Sequence, residues 1–218
     1  MKEKGMLALP QTAHFGKVIP KKKFYEHGSV TPAMKRLFID GVEQIRWSYK
    51  IAPSTMNIAE GKNVIEIEIL ELTLKNVINP EGLLKVIDQA IPYHILFLLH
   101  WEGKVQAWIA YKSVMHQSIQ VKQYFHTDWM TMDDLPLQLE GLSTDKLYEN
   151  WIRQMAGGEL AKDTDHSLEK SIAIQKERQQ LQKEIEKLRK KIRKEKQYNR
   201  QVELREQYIA MQKTLEAL

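Results

Sequence analysis

The chain has 218 residues, 43% of them hydrophobic and 28% charged, which suffices for one domain of ordinary size plus an appendage. It has no cysteine, and that removes disulfide frameworks, thiolate zinc sites and cysteine nucleophiles at once. The net charge of +5 is unevenly placed: from Thr164 to Leu218, 14 Lys/Arg face 9 Asp/Glu, while the remaining 163 residues hold 19 of each sign. An electrostatic partner is therefore expected at the C-terminal quarter. The opening stretch MKEKGMLALPQTAHFGK lacks the apolar run of a signal peptide, and no window approaches the roughly 18 apolar residues of a membrane span. These features lead to the expectation of a soluble, cytoplasmic protein with no membrane partner.

Prolines, glycines and all five tryptophans punctuate the chain up to Gly157-Gly158, and neither glycine nor proline follows. This shift predicts a globular domain over 1–158 and a helical segment over 159–218. In chain order, IPKKKFYEH reads as a loop whose Phe24 and Tyr25 anchor to a core. Its Lys21, Lys22 and Lys23 offer a second, weaker reading as a phosphate contact. TPAMKRLFIDGVEQIRWSYKIAP reads as a helix with Thr31 as N-cap and Pro32 at the first position. Leu37, Phe38, Val42, Ile45 and Tyr49 would form its apolar face, and Pro53 would end it.

VIEIEILELTLK is predicted as a strand. NPEGLLKVIDQAIP follows as an amphipathic helix from Pro80, with Leu83, Leu84, Ile87 and Ile91 inward. YHILFLLHW is a continuous apolar run, expected to be a strand buried on both faces. The spacing of these last three segments allows a parallel crossover. EGK is a tight turn to a partner strand, VQAWIAYKSV, and VKQYFHTDWM is a third strand. STDKLYENWIRQMAGG is a helix capped by Ser143 or Thr144, with Leu147, Tyr148, Trp151, Ile152 and Met155 on its face and Gly157 at its end. The pattern predicts an α+β domain, a mixed sheet with flanking helices, followed by a long C-terminal coiled-coil helix.

In that last segment, Ile174, Leu181, Ile185, Leu188 and Ile192 form a three-four seam. Leu204, Tyr208, Met211, Leu215 and Leu218 continue it in a shifted frame after KQYNRQ. Two arrangements fit: one helix of about 80 Å with a stutter, or two helices folded back. The turn region holds no Gly, Pro or Ser, so the continuous helix is the expectation. Such a seam requires a covering helix, from a second copy of the chain or from another protein.

KVIPKKKFY, RLFIDGVEQIRWSYKIAPSTMNI, LLKVIDQAIPYHILFLLHWEGKVQAWIAYK and LYENWIRQM together resemble a bacterial and archaeal domain-of-unknown-function family of roughly this length. The resemblance spans about residues 7–156, leaving the tail outside it. It implies a setting, since genes of that family often lie beside helicase, DNA methyltransferase and type III-like restriction genes. It brings no catalytic residue with it.

Two stretches carry candidate chemistry. On the glutamate-rich strand, a bulge near Ile69-Leu70 would keep the apolar residues inward and turn Glu66, Glu68, Glu71 and Thr73 to water. The competing reading is a divalent-metal nuclease built on Glu66, Glu68, Glu71 and Lys75. The nearest match to a Glu-x-Lys strand has Thr73 where the acid belongs, and no aspartate-bearing strand precedes it. The second stretch, EKLRKKIRKEK, places Lys187, Arg189, Lys190, Lys191, Arg193, Lys194 and Lys196 around a helix and so suits nucleic-acid phosphates. A solvated coiled-coil face is the simpler reading of it. The seven histidines, His14, His27, His94, His100, His116, His126 and His166, show no i, i+4 pair, and no motif implies a metal, a cofactor or a small-molecule ligand. The sequence thus favours a non-catalytic accessory subunit of a DNA-acting system. Ile174, Leu181, Ile185, Leu188, Ile192, Tyr208, Met211 and Leu215 would carry oligomerisation or helicase or methyltransferase docking.

Overall fold

In the computed structural model, which describes residues 9–26, 30–115, 118–158, 160 and 167–217, segments rich in β-branched and aromatic side chains pair into one six-stranded sheet. Its strands are β1 (His14–Ile19), β2 (Val42–Ile51), β3 (Ile67–Leu74), β4 (His94–Trp101), β5 (Lys104–Met115) and β6 (Ser118–His126). They lie side by side in chain order. All neighbours are antiparallel except β3 and β4, which run parallel. That pair is joined by α3 (Glu81–Ala90), preceded by the short helices α1 (Lys22–Tyr25) and α2 (Pro32–Arg36). The class is α+β, and the parallel crossover sits where the spacing placed it.

The helix expected over 31–53 is corrected. Thr31 does cap α2, accepting from the Met34 amide at 3.2 Å, but the helix passes into a π-helical turn at Leu37–Gly41 and becomes β2. The register of β2 against β3 skips Glu43 and Ser48. These two bulges leave Val42, Ile45, Ser48 and Ile51 buried at steps of three, a spacing that imitates a helical stripe. α1 falls in the stretch read as a loop, and β1, for which no element was predicted, runs up to it at Ile19; Phe24 is anchored as expected, stacked on Phe38 with centroids 6.1 Å apart.

On one face of the sheet, Leu70, Leu72 and Leu74 of β3 pack with Ile95, Phe97 and Leu99 of β4 against Leu83, Leu84 and Ile87 of α3. Apolar residues at these positions are what place α3 on that face. On the other face α4 (Thr144–Ala156) packs against β5 and β6, and its Leu147, Tyr148, Trp151, Ile152 and Met155 are all buried. Ser143 is its N-cap, accepting from the Lys146 amide at 3.3 Å, and Gly157 its C-cap. The β4–β5 hairpin turns on Glu102 and Gly103, both at positive φ.

Two polar devices tie these layers. At the start of α4, Asp145 accepts the backbone N–H groups of Lys62, Asn63 and Val64 at 2.8, 3.1 and 2.7 Å. Thr144 bonds the Gly61 amide at 2.8 Å and the Val64 carbonyl. A Cβ on Gly61 would collide with the Asp145 carboxylate, so only glycine permits this approach. Beneath α3, Lys112 of β5 and Asp88 form an ion pair at 2.5 Å with neither side chain exposed. Lys112 also donates to the Tyr93 carbonyl at 2.6 Å, and the Tyr124 hydroxyl donates to Asp88 at 2.5 Å. Burial pulls the Lys112 pKa down and pushes that of Asp88 up, and the pairing opposes both shifts.

The chain divides into two compact units between Gly157 and Gly158. The second unit holds α5 (Leu168–Lys194) and α6 (Tyr198–Ala217). The single continuous helix is corrected here, because Glu195–Gln197 are non-helical and α6 contacts α5. Leu204, Tyr208, Met211 and Leu215 of α6 are half-buried along its length, as are Ile174, Leu181, Ile185, Leu188 and Ile192 of α5. Side chains at the far end of α6 can be covered this way only if it runs back along α5. The turn needs no glycine. The Glu195 carboxylate accepts the amides of Lys196 and Gln197 at 2.8 and 2.9 Å, and the Gln201 side chain donates to the Ile192 carbonyl at 3.2 Å. The seam thus has a covering helix within its own chain, contrary to the premise drawn from sequence. Leu218 lies outside the described residues.

Removing one partner of the Asp88–Lys112 pair strands a buried charge. Lys112→Met is expected to destabilise the globular unit by about 3–5 kcal/mol in urea unfolding. The double variant Lys112→Met/Asp88→Leu should recover most of that loss, a result that separates ion pairing from simple packing.

Candidate functional site

The expectation that the glutamates of β3 face water is corrected. β3 lies inside the sheet with both faces covered, and its pairing with β4 is continuous from Ile67↔His94 to Thr73↔His100, with no bulge. The irregularity lies across from it, on β2 at Ser48. Strict alternation then sends Glu66 and Glu68 to the α3 side and Glu71 to the α4 side. Glu66 is 8% exposed and bound to Lys50 at 2.5 Å. Glu68 is 2% exposed, and among the described residues neither carboxylate oxygen has a hydrogen-bond partner. Burial first, and then the neighbouring Glu66 carboxyl, push its pKa up to about 8.

The four residues of the nuclease reading are therefore not gathered in one cleft. Glu71 lies beside Arg46 of β2 and 3.5 Å from His100 of β4. Thr73 pairs with Gln44, where a metal site would want a second acid. Lys75 donates to the Ile39 carbonyl at 2.8 Å. Among the described residues no group of three His, Asp or Glu is placed to hold a metal ion. His94 is buried edge-on to Tyr148, its pKa lowered to about 4 chiefly by burial. His126 stacks on Trp108, and His14 meets Tyr49 edge-on. His27, His116 and His166 lie outside the described residues.

The basic stretch forms the other candidate. Lys187, Lys190, Lys191 and Lys194 recur at three- and four-residue steps along one flank of the Leu188–Ile192 seam, and Arg189, Arg193 and Lys196 along the opposite flank. All seven side chains are exposed, and among the described residues the one ion pair they make is Lys190 with Glu186, at 4.0 Å. Lys191, Arg193 and Lys194 also close the last turn of α5, where cations suit the helix dipole. Because α6 covers the seam, the cations flank it and point outward. In the KKKFY stretch, by contrast, Lys21 is drawn inward to the Val42 carbonyl at 2.5 Å.

Residues 7–215 match the family described as Domain of unknown function (DUF4391). The chain belongs to that family. The match runs through α5 and α6, so the helical hairpin is part of the family and not an addition beyond residue 156. No curated protein and no solved structure matches the chain. Among the described residues no helix is long and apolar enough to cross a membrane.

Sequence reasoning missed the burial of Glu68. The signal available was the continuous apolar character of Ile67, Ile69, Leu70, Leu72 and Leu74, which fits a strand covered on both faces better than a wet one. A carboxyl that stays protonated to about pH 8 when folded, but ionises near 4.5 when unfolded, favours the folded state most below the lower value. Its contribution is lost as pH rises between the two. The melting temperature should fall over that window, and Glu68→Gln should flatten the fall; equal slopes in both proteins would show that Glu68 ionises normally.

Proposed function

We propose that the chain is a non-catalytic accessory protein of a DNA-acting system, which contacts nucleic-acid phosphates through the outward cations of its helical hairpin. The observation that carries this reading is the solvent exposure of Lys187, Arg189, Lys190, Lys191, Arg193, Lys194 and Lys196 on two flanks of a seam already covered by α6. Paired glutamates on a partner helix are not needed to explain them, and phosphates are their natural complement. The setting, beside helicase, methyltransferase and type III-like restriction genes, is what the resemblance to the family suggests. In such a system the hairpin supplies affinity without sequence preference, and the enzyme partner supplies the chemistry. The cover that α6 gives is partial, since Ile174 to Ile192 on α5 and Tyr208, Met211 and Leu215 on α6 are half-buried, and a further helix, from a second copy or from the enzyme partner, would join along that same seam.

Fluorescence anisotropy with labelled duplex DNA, read across a salt series, tests this. Affinity should fall linearly on a log–log plot, and Arg189→Gln/Arg193→Gln should reduce the magnitude of the slope by about 2. Absence of binding at 50 mM salt, or a slope unmoved by these substitutions, would refute the phosphate contact. Cleavage of the same DNA on addition of Mg²⁺, abolished by Glu68→Ala, would replace the accessory reading with the nuclease one.

A further inference from the structure

A cavity of about 490 Å³ opens on the α3 side of the sheet, between β1, β2, β3, α1 and the residues that follow α3. That volume lies within the usual range for small-molecule sites. Its wall is aromatic and aliphatic, with Phe15 and Trp47 packed at 3.9 Å between centroids and Tyr93 and Ile91 also lining it. Glu68 lines it, as do Lys17 and Lys23. The lysines are exposed while Glu68 is 2% exposed, so the cavity grades from a buried carboxyl to a cationic rim.

The carboxyl is the anomaly. Glu66 and Glu68 share one side of the chain, and Lys50 is committed to Glu66 at 2.5 Å. Among the described residues the Glu68 oxygens have no hydrogen-bond partner of ordinary geometry, although Lys50, Glu66 and the Trp47 indole lie close enough to act on the carboxyl. A buried carboxyl whose oxygens are not fully satisfied is costly unless a ligand supplies the missing partners. Packing gains nothing from a glutamate here; leucine would fill the wall without that cost.

We infer that this cavity binds a nucleotide unit, with the base held between the aromatic wall and the Glu68 carboxyl and the phosphate at Lys17 and Lys23. A base supplies what the cavity lacks: a flat apolar body to lie against Trp47 or Tyr93, and an edge on which a donor adjoins an acceptor. A carboxyl meets such an edge in two hydrogen bonds. The anionic tail answers the rim. The same chemistry is offered by a free mononucleotide and by an unpaired base in a strand. The inference stands apart from the phosphate contact proposed for the hairpin, because it involves different residues in the other unit.

Isothermal titration calorimetry with AMP, adenosine, ribose 5-phosphate and a single-stranded dA pentamer tests it on the full chain. AMP or the pentamer should bind, adenosine more weakly than AMP, and ribose 5-phosphate not measurably. A preference for AMP assigns the site to free nucleotides, and a preference for the pentamer assigns it to a strand. Glu68→Leu, which keeps the fold by circular dichroism, should weaken binding at least about tenfold, as expected for losing a buried polar contact. Glu68→Gln, which retains a donor and an acceptor, should stay within about threefold of the parent. Lys17→Gln/Lys23→Gln should bring AMP down to the level of adenosine. Arg189→Gln/Arg193→Gln should leave AMP binding unchanged, which keeps this result separate from the hairpin's. Failure of both AMP and the pentamer to bind, or equal binding by the Glu68→Leu variant, overturns the inference.

Discussion

The covering of β3 on both faces is the constraint from which most of the globular unit follows. A strand lying inside a sheet, with α3 against one face and Ile67 and Ile69 fully buried on the other, has no wet side for polar residues. Its leucines and isoleucines are what allow that position, and its glutamates must be accommodated in spite of it. Each is treated differently: Glu66 pairs with Lys50, Glu71 lies near His100, and Glu68, buried beside Glu66, has no hydrogen-bond partner among the described residues. One backbone placement has given three carboxyls of similar sequence context three unlike sets of neighbours.

The same constraint explains why parts of the fold were legible. α3 and α4 each carry an apolar stripe at helical spacing, with a proline or serine at the start, and both occur where those signals point. β4 is an unbroken apolar run, which has no reasonable home except a doubly covered strand. These segments declare themselves because local pattern and tertiary demand agree.

Where the two disagree, the reading fails for identifiable reasons. In β2, the extra residues Glu43 and Ser48 convert a two-residue repeat into a three-residue one, and a bulge cannot be seen without the strand it faces. In the tail, the shift of frame after Ile192 marks the turn, but its means of closure is a pair of side chains, Glu195 and Gln201, in place of the expected glycine. The basic flanks were visible from spacing alone; that they point away from a covered seam depends on α6 folding back. The aromatic cavity was not visible at all, because Phe15, Trp47, Glu68 and Tyr93 are gathered from four separate segments.

The clasp at the start of α4 carries a consequence for how the polypeptide is made. Residues 61–64 are fastened by Thr144 and Asp145, groups some 80 positions further along. At a synthesis rate of about 5–20 residues per second, several seconds separate the emergence of the loop from that of its fastener. During that interval, although β2 and then β4 are already present to pair with β3, residues 61–64 lack this fastener. Chaperone demand should therefore concentrate on nascent chains that end between these two points.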